Sequence, residues 1–250
     1  MSDLRVEYVL RLGDSALVLA QRTCAWVGHA AVMEEDVALA NVALDLFGQA
    51  KLWLDYAGEI EGDGRDADAF AFARDSGAFY NLLLVEQPNG NFADTIVRGY
   101  FYDAWSALAL KELTHSRDER IAAIAAKSAK ETAYHLRRSE DWLLRLGDGT
   151  ELSHERAQHA VNALWRFTGE LFLGDDVDLQ MTQAGIGFDP ATLREPWLAR
   201  VESALQTATL ERPVEGWMQR GGKQGRHTEA LGYLLAEMQV LPRSYAGATW

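Results

Sequence analysis

Apolar residues recur at three- and four-residue steps along most of this chain, and that spacing is typical of amphipathic α-helices. Residues 33–60 are the clearest example, and residues 4–29 precede them as a first predicted helix. Cys24, near the end of that first helix, is predicted to be a small core residue. The predicted buried stripe of the 33–60 helix consists of Val37, Ala40, Leu44, Phe47 and Leu52.

Two further long helices, residues 92–113 and 119–146, are predicted to follow as a tight hairpin. Asp118 is the expected N-cap of the second helix, and Gly147 is its expected end. Aromatic rings cover all sides of the 92–113 helix, which predicts that it is buried all round against other helices or another subunit. Those rings belong to Tyr100, Phe101, Tyr102 and Trp105.

Turn-forming residues separate the second long helix from the third. Residues 61–68 predict an exposed acidic connection, and residues 75–86 predict one short helix. Pro88 removes a backbone donor, and Asn89-Gly90 favours a turn, so the short helix is expected to end there.

The remaining third of the chain also predicts helices. Thr150 is expected to cap a helix that reaches residue 173, and the Asp189-Pro190 pair begins another that reaches about residue 210. A Gly-rich loop at residues 221–225 separates these from a last helix, which Thr228 caps and Pro242 stops.

These elements predict one all-α domain with a central antiparallel four-helix bundle, because long helices joined by short connections pack as antiparallel neighbours. The bundle core covers about residues 4–147, and the additional helices cover about 150–245. No β-hairpin, internal repeat or low-complexity segment interrupts the pattern.

Composition narrows the functional class. The formal net charge of −13 disfavours nucleic acid as a partner, because phosphate binding needs a basic face. Cys24 is the only cysteine, which excludes an intrachain disulfide and fits a reducing cytosol. The first residues do not resemble a signal peptide, and no run is apolar enough to predict a membrane span. We therefore expect a cytoplasmic protein without membrane contact.

Glu131 and His135 are the first candidates for chemistry, because four-residue spacing stacks both side chains on one helix face. A bundle with inward carboxylates and imidazoles suggests a ferritin-like di-iron site, to which two helices give one Glu each and two give Glu-x-x-His. Mid-helix Asp45 and Asp103 are the corresponding candidates on the second and third helices.

Neither of the two Glu-x-x-His pairs that such a site requires is present at these positions. Gly48 stands three residues after Asp45, and Tyr134 stands three residues after Glu131. We therefore favour a buried polar network for the four positions Asp45, Asp103, Glu131 and His135 over a working metal site. Lys127 and Lys130 lie near enough to Glu131 for a salt bridge to take the place of a cation.

Two other sequence features are weaker candidates for chemistry. Literal Glu-x-x-His matches occur at Glu112-Leu-Thr-His115 and Glu151-Leu-Ser-His154, and both are expected to be exposed helix-end residues. The loop that carries Lys223 and Arg226 is basic and lacks the Walker pattern, so a solvated connection is favoured over a site for phosphates or an acidic partner.

Six stretches together resemble the C-subunit family of the bacterial phenylacetyl-CoA epoxidase, a multicomponent ring monooxygenase. They span nearly the whole chain, and the run at residues 81–94 is the most specific of them. The stretches are residues 10–14 (LRLGD), 36–50 (DVALANVALDLFGQA), 81–94 (NLLLVEQPNGNFAD), 133–137 (AYHLR), 164–168 (LWRFT) and 227–239 (HTEALGYLLAEMQ).

The resemblance implies a division of labour between two ferritin-like subunits. In that family the A subunit holds the di-iron centre and binds the acyl-CoA, whereas the C subunit has lost a functional centre and supports A structurally. A small B subunit joins the assembly, and a separate reductase delivers electrons from NADPH. The resemblance therefore implies no catalytic, cofactor-binding or metal-ligating residue in this chain, with Asp45, Asp103, Glu131 and His135 as degenerate positions.

Three alternatives stay open at this stage. The chain could be a ferritin-like di-metal oxygenase in its own right, with an unusual ligand set at the same four positions. It could bind acyl-CoA by itself through the Lys223 and Arg226 loop. It could also be a purely structural, self-associating protein.

Overall fold

A computed structural model describes residues 2–245, and the side chains from residue 4 onwards. Helices and 3₁₀ turns together account for 74% of the described residues, which contain ten α-helices and no β-strand. The prediction of an all-α protein is confirmed. The α-helices are α1 Ser2–Cys24, α2 Met33–Glu61, α3 Ala67–Phe72, α4 Leu83–Glu86, α5 Phe92–Leu113, α6 Glu119–Gly147, α7 Glu151–Trp165, α8 Asp176–Gln183, α9 Arg194–Thr207 and α10 Glu229–Ser244.

The chain forms two compact units. The first unit contains residues 2–88 together with 221–245, and the second contains residues 89–220. Each unit is built on one pair of long helices, α1 with α2 in the first and α5 with α6 in the second. The predicted single bundle domain with additional C-terminal helices stays a prediction.

Small residues allow α1 and α2 to pack closely along their length. A Cβ atom added to Gly13 of α1 would lie 2.8 Å from Cδ2 of Leu54 in α2, so a larger residue there would force the Leu54 side chain to shift. The predicted stripe of α2 is partly wrong, because Val37 and Leu44 are exposed and the buried face carries Leu39, Leu46 and Trp53 instead.

Cys24 is also exposed, and the prediction of a core cysteine is wrong. The physical reason is that α1 ends at Cys24, five residues before its predicted end. Four residues beyond that end, Gly28 adopts a left-handed conformation with φ of 85°.

The segment predicted as one helix over residues 75–86 is largely not helical. A 3₁₀ turn at Ser76–Ala78 leads into extended chain, and only α4 is α-helical. The carboxylate of Asp14 accepts a hydrogen bond from the backbone N–H of Tyr80 at 2.9 Å. This long-range contact holds the chain extended at the point where a helix would otherwise continue.

In the second unit the predictions of α5 and α6 are confirmed, α5 at both ends and α6 to within one residue. Asn91 and Asp94 form a reciprocal capping box at the start of α5. The Asp118 side chain accepts from the backbone N–H groups of Arg120 and Ile121, which caps α6 as predicted.

Helix α7 ends at Trp165 and not at residue 173. The chain then forms a 3₁₀ turn at Gly169–Phe172, and the carbonyl oxygen of Leu171 accepts from Nε1 of Trp105 at 3.0 Å. The expected stop at Pro242 is wrong as well, because α10 continues through it. The Arg243 guanidinium holds this last turn by donating to the carbonyl oxygen of Arg74 at 2.9 Å.

Helix α2 is the one described helix that is long and apolar enough to cross a membrane by length and composition alone. The mean hydropathy of its most apolar 18-residue window is 1.2, and 44% of that window is buried inside the protein. Core helices of soluble proteins have the same length and composition, and α2 packs along α1.

Candidate functional site

Glu131 and His135 lie on α6 in different surroundings. The Glu131 carboxylate is half-buried and lies 3.6 Å from the ammonium group of Lys127, an ion pair one helical turn away. His135 is buried and packs edge-to-face beside Tyr134, with ring centroids 6.3 Å apart. The ammonium group of Lys127 therefore partly neutralises the carboxylate of Glu131, as the sequence suggested.

Asp103 of α5 is buried and belongs to a polar group that also contains His135 and Ser139. The Ser139 hydroxyl donates to Oδ2 of Asp103 at 2.7 Å. Burial raises the pKa of Asp103 to about 6, and the nearby positive potential of His135 and Arg138 and the Ser139 hydrogen bond oppose that rise. The Asp103 carboxyl is thus satisfied by neighbours on α6.

Asp45 of α2 is half-buried in the first unit. Gly48 offers no side chain one turn later, and a Cβ atom built there would meet no other atom within 4 Å. Across residues 2–245, no three His, Cys, Asp or Glu residues lie close enough together to hold a metal ion. A di-iron centre needs several carboxylates and imidazoles around one point, and Asp45 belongs to a different unit from Asp103, Glu131 and His135.

The literal Glu-x-x-His pairs lie at helix ends, and Glu112, His115 and Glu151 are exposed as predicted. His154 differs, because it is half-buried and its Nδ1 lies 2.8 Å from the carbonyl oxygen of Gly147. That contact joins the start of α7 to the end of α6, so His154 has a structural partner.

The predicted solvated loop at residues 221–225 is in fact packed into the first unit, so that prediction is wrong. Lys223 is buried, whereas Arg226 is exposed. A Cβ atom on Gly222 would lie 2.2 Å from the carbonyl oxygen of Asn81, so only glycine permits this close approach of the two backbones. A ligand or acidic partner could reach Arg226 but not Lys223.

A buried polar network in the first unit surrounds Glu86, which the sequence reasoning did not single out. The Glu86 side chain is fully buried, and its carboxylate accepts from Asn81 and from the backbone and hydroxyl of Thr228. Its Oε2 also lies 2.8 Å from Nδ1 of His227. Arg22 donates to the backbone carbonyl of the same residue at 2.8 Å. The residues that contact Glu86 lie on three separate stretches of the chain. In the sequence, only the polar residues that recur within residues 81–94 could have indicated this network.

A second buried network joins α1 to the connection after α3. Arg74 donates through both terminal nitrogens to the carboxylate of Asp14, which is fully buried. The same guanidinium lies 4.2 Å from the centroid of the Phe79 ring, a cation–π contact. The carboxylates of Glu86 and Asp14 are both held by several protein donors, which is the behaviour of structural pairs.

Comparison with known proteins places the chain in a family. The family model described as "Phenylacetic acid catabolic protein" matches residues 2–250. The chain is 54% identical over 243 residues to a protein of Escherichia coli (strain K12) that is named as the C subunit of 1,2-phenylacetyl-CoA epoxidase. That alignment covers 97% of this chain and 98% of the relative.

Proposed function

Because the chain belongs to the phenylacetic acid catabolic protein family, we propose that it is the structural, non-catalytic subunit of a phenylacetyl-CoA 1,2-epoxidase complex. The all-α, ferritin-like fold is confirmed and agrees with this assignment. The identity to an epoxidase C subunit along almost the whole chain supports the proposed membership in such a complex.

The arrangement around Asp103 supports a non-catalytic role. Asp103 accepts from Ser139, and Glu131 pairs with Lys127, so two of the four candidate ligands are committed to neighbouring side chains. In a working di-iron bundle those carboxylates would have to bridge and neutralise the metals. In the proposal the di-iron centre therefore belongs to a partner A subunit, and this chain holds no cofactor.

The outer face of α2 supports the existence of a protein partner. Met33, Val37 and Leu44 lie along one face of the helix and are between 56% and 76% exposed. Exposed apolar side chains in a row are typical of protein–protein contacts. We assign this face to the catalytic A subunit, with a small B subunit as a further component of a cytoplasmic assembly.

Co-purification tests the proposal directly. The full-length chain is produced with and without the catalytic subunit, and epoxidation of phenylacetyl-CoA is measured with the reductase and NADPH. We expect a stable complex, and a large loss of turnover when this chain is omitted. Turnover that is unchanged without the chain would contradict the structural role.

Metal analysis of the purified chain separates the proposal from a di-metal oxygenase. The proposed subunit holds far less than one iron per chain and consumes no oxygen with a reductant. Two tightly bound iron ions per isolated chain would refute the non-catalytic assignment and favour an oxygenase.

A further inference from the structure

The outward face of α6 is basic, whereas the chain as a whole is acidic. This face is formed by exposed residues on one side of the helix, namely Ala126, Lys127, Lys130, Ala133, Tyr134 and Arg137. Three of these six residues are basic and none is acidic, although the full sequence has 37 Asp and Glu residues against 24 Lys and Arg residues. A local field of this sign attracts a partner of the opposite charge.

Lys130 and Arg137 carry charges that the chain itself does not compensate. Both are exposed, and no carboxylate within residues 2–245 forms an ion pair with either of them. Glu131, which is half-buried beside them, lies 3.6 Å from Lys127 and leaves that lysine side chain 60% exposed. Seven residues separate Lys130 from Arg137, so the two charges lie on the same side of the helix and about 10 Å apart along its axis.

Tyr134 lies between these two cations and is 47% exposed. A tyrosine in this position offers apolar area together with a hydroxyl group, a combination that is common at the centre of protein interfaces. The side chains of Ala126 and Ala133 beside it are small, and the distance between two packed helices depends on the side chains at their contact. The outward face of α6 therefore suits a second helix that lies along it.

The charge pattern distinguishes between possible occupants of this face. A second copy of the same face would bring Lys130 and Arg137 against like charges, which is repulsive. Nucleic acid is disfavoured by the net charge of −13, because phosphate binding needs a basic protein surface. An anionic membrane is disfavoured as well, since Tyr134 is the one large exposed apolar side chain of α6 and membrane-bound helices insert a whole apolar face.

We propose that the outward face of α6 binds a carboxylate-bearing helix of a different subunit. Asp or Glu residues at positions i and i+7 of that helix pair with Lys130 and Arg137, and an apolar residue between them packs on Tyr134. The contact rests on the proposed function, because it adds a second surface of the proposed complex to the outer face of α2.

Carbodiimide cross-linking of the reconstituted complex tests this contact. The reagent has no spacer, so it forms an amide bond only between an amine and a carboxylate that already lie in ion-pair contact. The full-length chain is assembled with the A and B subunits, treated and digested, and the linked peptides are identified by mass spectrometry. We expect Lys130 to be joined to an Asp or Glu of one of those subunits. Lys111 of α5 is the matched control, because it is also exposed and without an ion pair among the described residues, and we expect no link from it to a partner.

The outcomes separate this contact from the proposed function. An assembled complex in which Lys130 stays free, or is joined only to carboxylates of its own chain, would overturn the contact and leave the proposed function standing. Failure of the unmodified chain to assemble with the A and B subunits would overturn both.

Charge reversal measures the contribution of the face to binding. The double variant Lys130→Glu with Arg137→Glu is expected to raise the dissociation constant for the partner subunit at least roughly tenfold at about 50 mM salt, and the difference should shrink at about 500 mM. Lys111→Glu with Arg156→Glu changes the net charge equally at exposed positions of α5 and α7, and is expected to change the dissociation constant less than about twofold. Equal weakening by the two double variants would show that net charge alone acts, and would overturn the assignment to α6.

Discussion

The imidazole of His227 lies against the fully buried carboxylate of Glu86, with 2.8 Å between Nδ1 and Oε2, across 141 residues of sequence. Nε2 of the same ring lies 2.8 Å from the carbonyl oxygen of Phe79. Both ring nitrogens thus face oxygen atoms, and each contact is a hydrogen bond when the ring carries both protons. The pair ties the start of α10 to α4.

Glu86→Gln is expected to lower the free energy of unfolding by about 3 kcal/mol, because one partner of a buried, hydrogen-bonded pair loses its charge. Glu61→Gln is the matched control, since Glu61 pairs with Arg65 at the surface. We expect that control to cost less than about 1 kcal/mol. Urea denaturation of both variants measures the difference, and equal costs would contradict a structural role of the Glu86–His227 pair.

Arg74→Lys is expected to cost about 2 kcal/mol, because lysine cannot reproduce the two-pronged contact with Asp14 or the stacking on Phe79. Arg65→Lys is a suitable control, because Arg65 also contacts a carboxylate and an aromatic ring but is exposed. Thermal unfolding of the two variants should show a clearly lower midpoint for Arg74→Lys alone. Similar midpoints would show that burial of the Asp14–Arg74 pair is energetically unimportant.

Asp103 is expected to make the protein less stable as the pH rises. Its pKa in the folded protein is about 6, above the value of 3.8 for an unperturbed group, so the folded state binds the extra proton between these values. Stability is therefore highest below pH 4 with respect to this group, and on the order of 3 kcal/mol is lost as the pH rises through 6.

Asp103→Asn removes this titration while keeping an acceptor for Ser139. We expect the free energy of unfolding of the variant, relative to the unmodified protein, to increase between pH 4 and pH 7. Measuring both proteins by denaturant unfolding across that range cancels the other titrating groups. A constant difference between the two would show that Asp103 is not buried as a carboxylic acid with a raised pKa.

Leu44→Glu is expected to disrupt assembly with the catalytic subunit without unfolding the chain, because Leu44 is exposed on the outer face of α2. Leu152→Glu on α7 is the matched control, since that leucine is similarly exposed and lies outside this face. Size-exclusion chromatography with the partner should show a weakened complex for Leu44→Glu only. Equal assembly of both variants would move the interface elsewhere.

Local signals were sufficient to predict the two long helices of the second unit, α5 and α6. Asp118 and the Asn91–Asp94 pair lie directly beside the helix starts that they cap, so the ends of α5 and α6 follow from the residues themselves. The all-α class likewise follows from the period of apolar positions.

Long-range contacts limited the prediction of the first unit. The extended chain at residues 79–82 depends on Asp14, which lies more than sixty residues away and has no local signature. The exposed side of α2 was misassigned for a related reason, because an exposed apolar face has the same period as one that faces the core.

Some contacts of the candidate site have a local signature in the sequence, and others do not. The four-residue spacing of Glu131 and His135 and the absence of a side chain at Gly48 were readable from the sequence. The ion pair with Lys127 was also anticipated, but the hydrogen bond from Ser139 to Asp103 required the packing of α5 on α6. The network around Glu86 was missed because its members come together only in the folded chain.

The turnover of the reconstituted epoxidase with a doubly substituted chain tests the central claim most directly. The chain carries Glu131→Gln and Asp103→Asn, two changes that preserve shape and remove both carboxylates of the second unit's candidate site. The account predicts turnover of phenylacetyl-CoA within about twofold of the unmodified complex, because neither residue touches the reacting atoms. A loss of about a hundredfold or more, with the complex still assembled, would show that this chain holds a working metal centre.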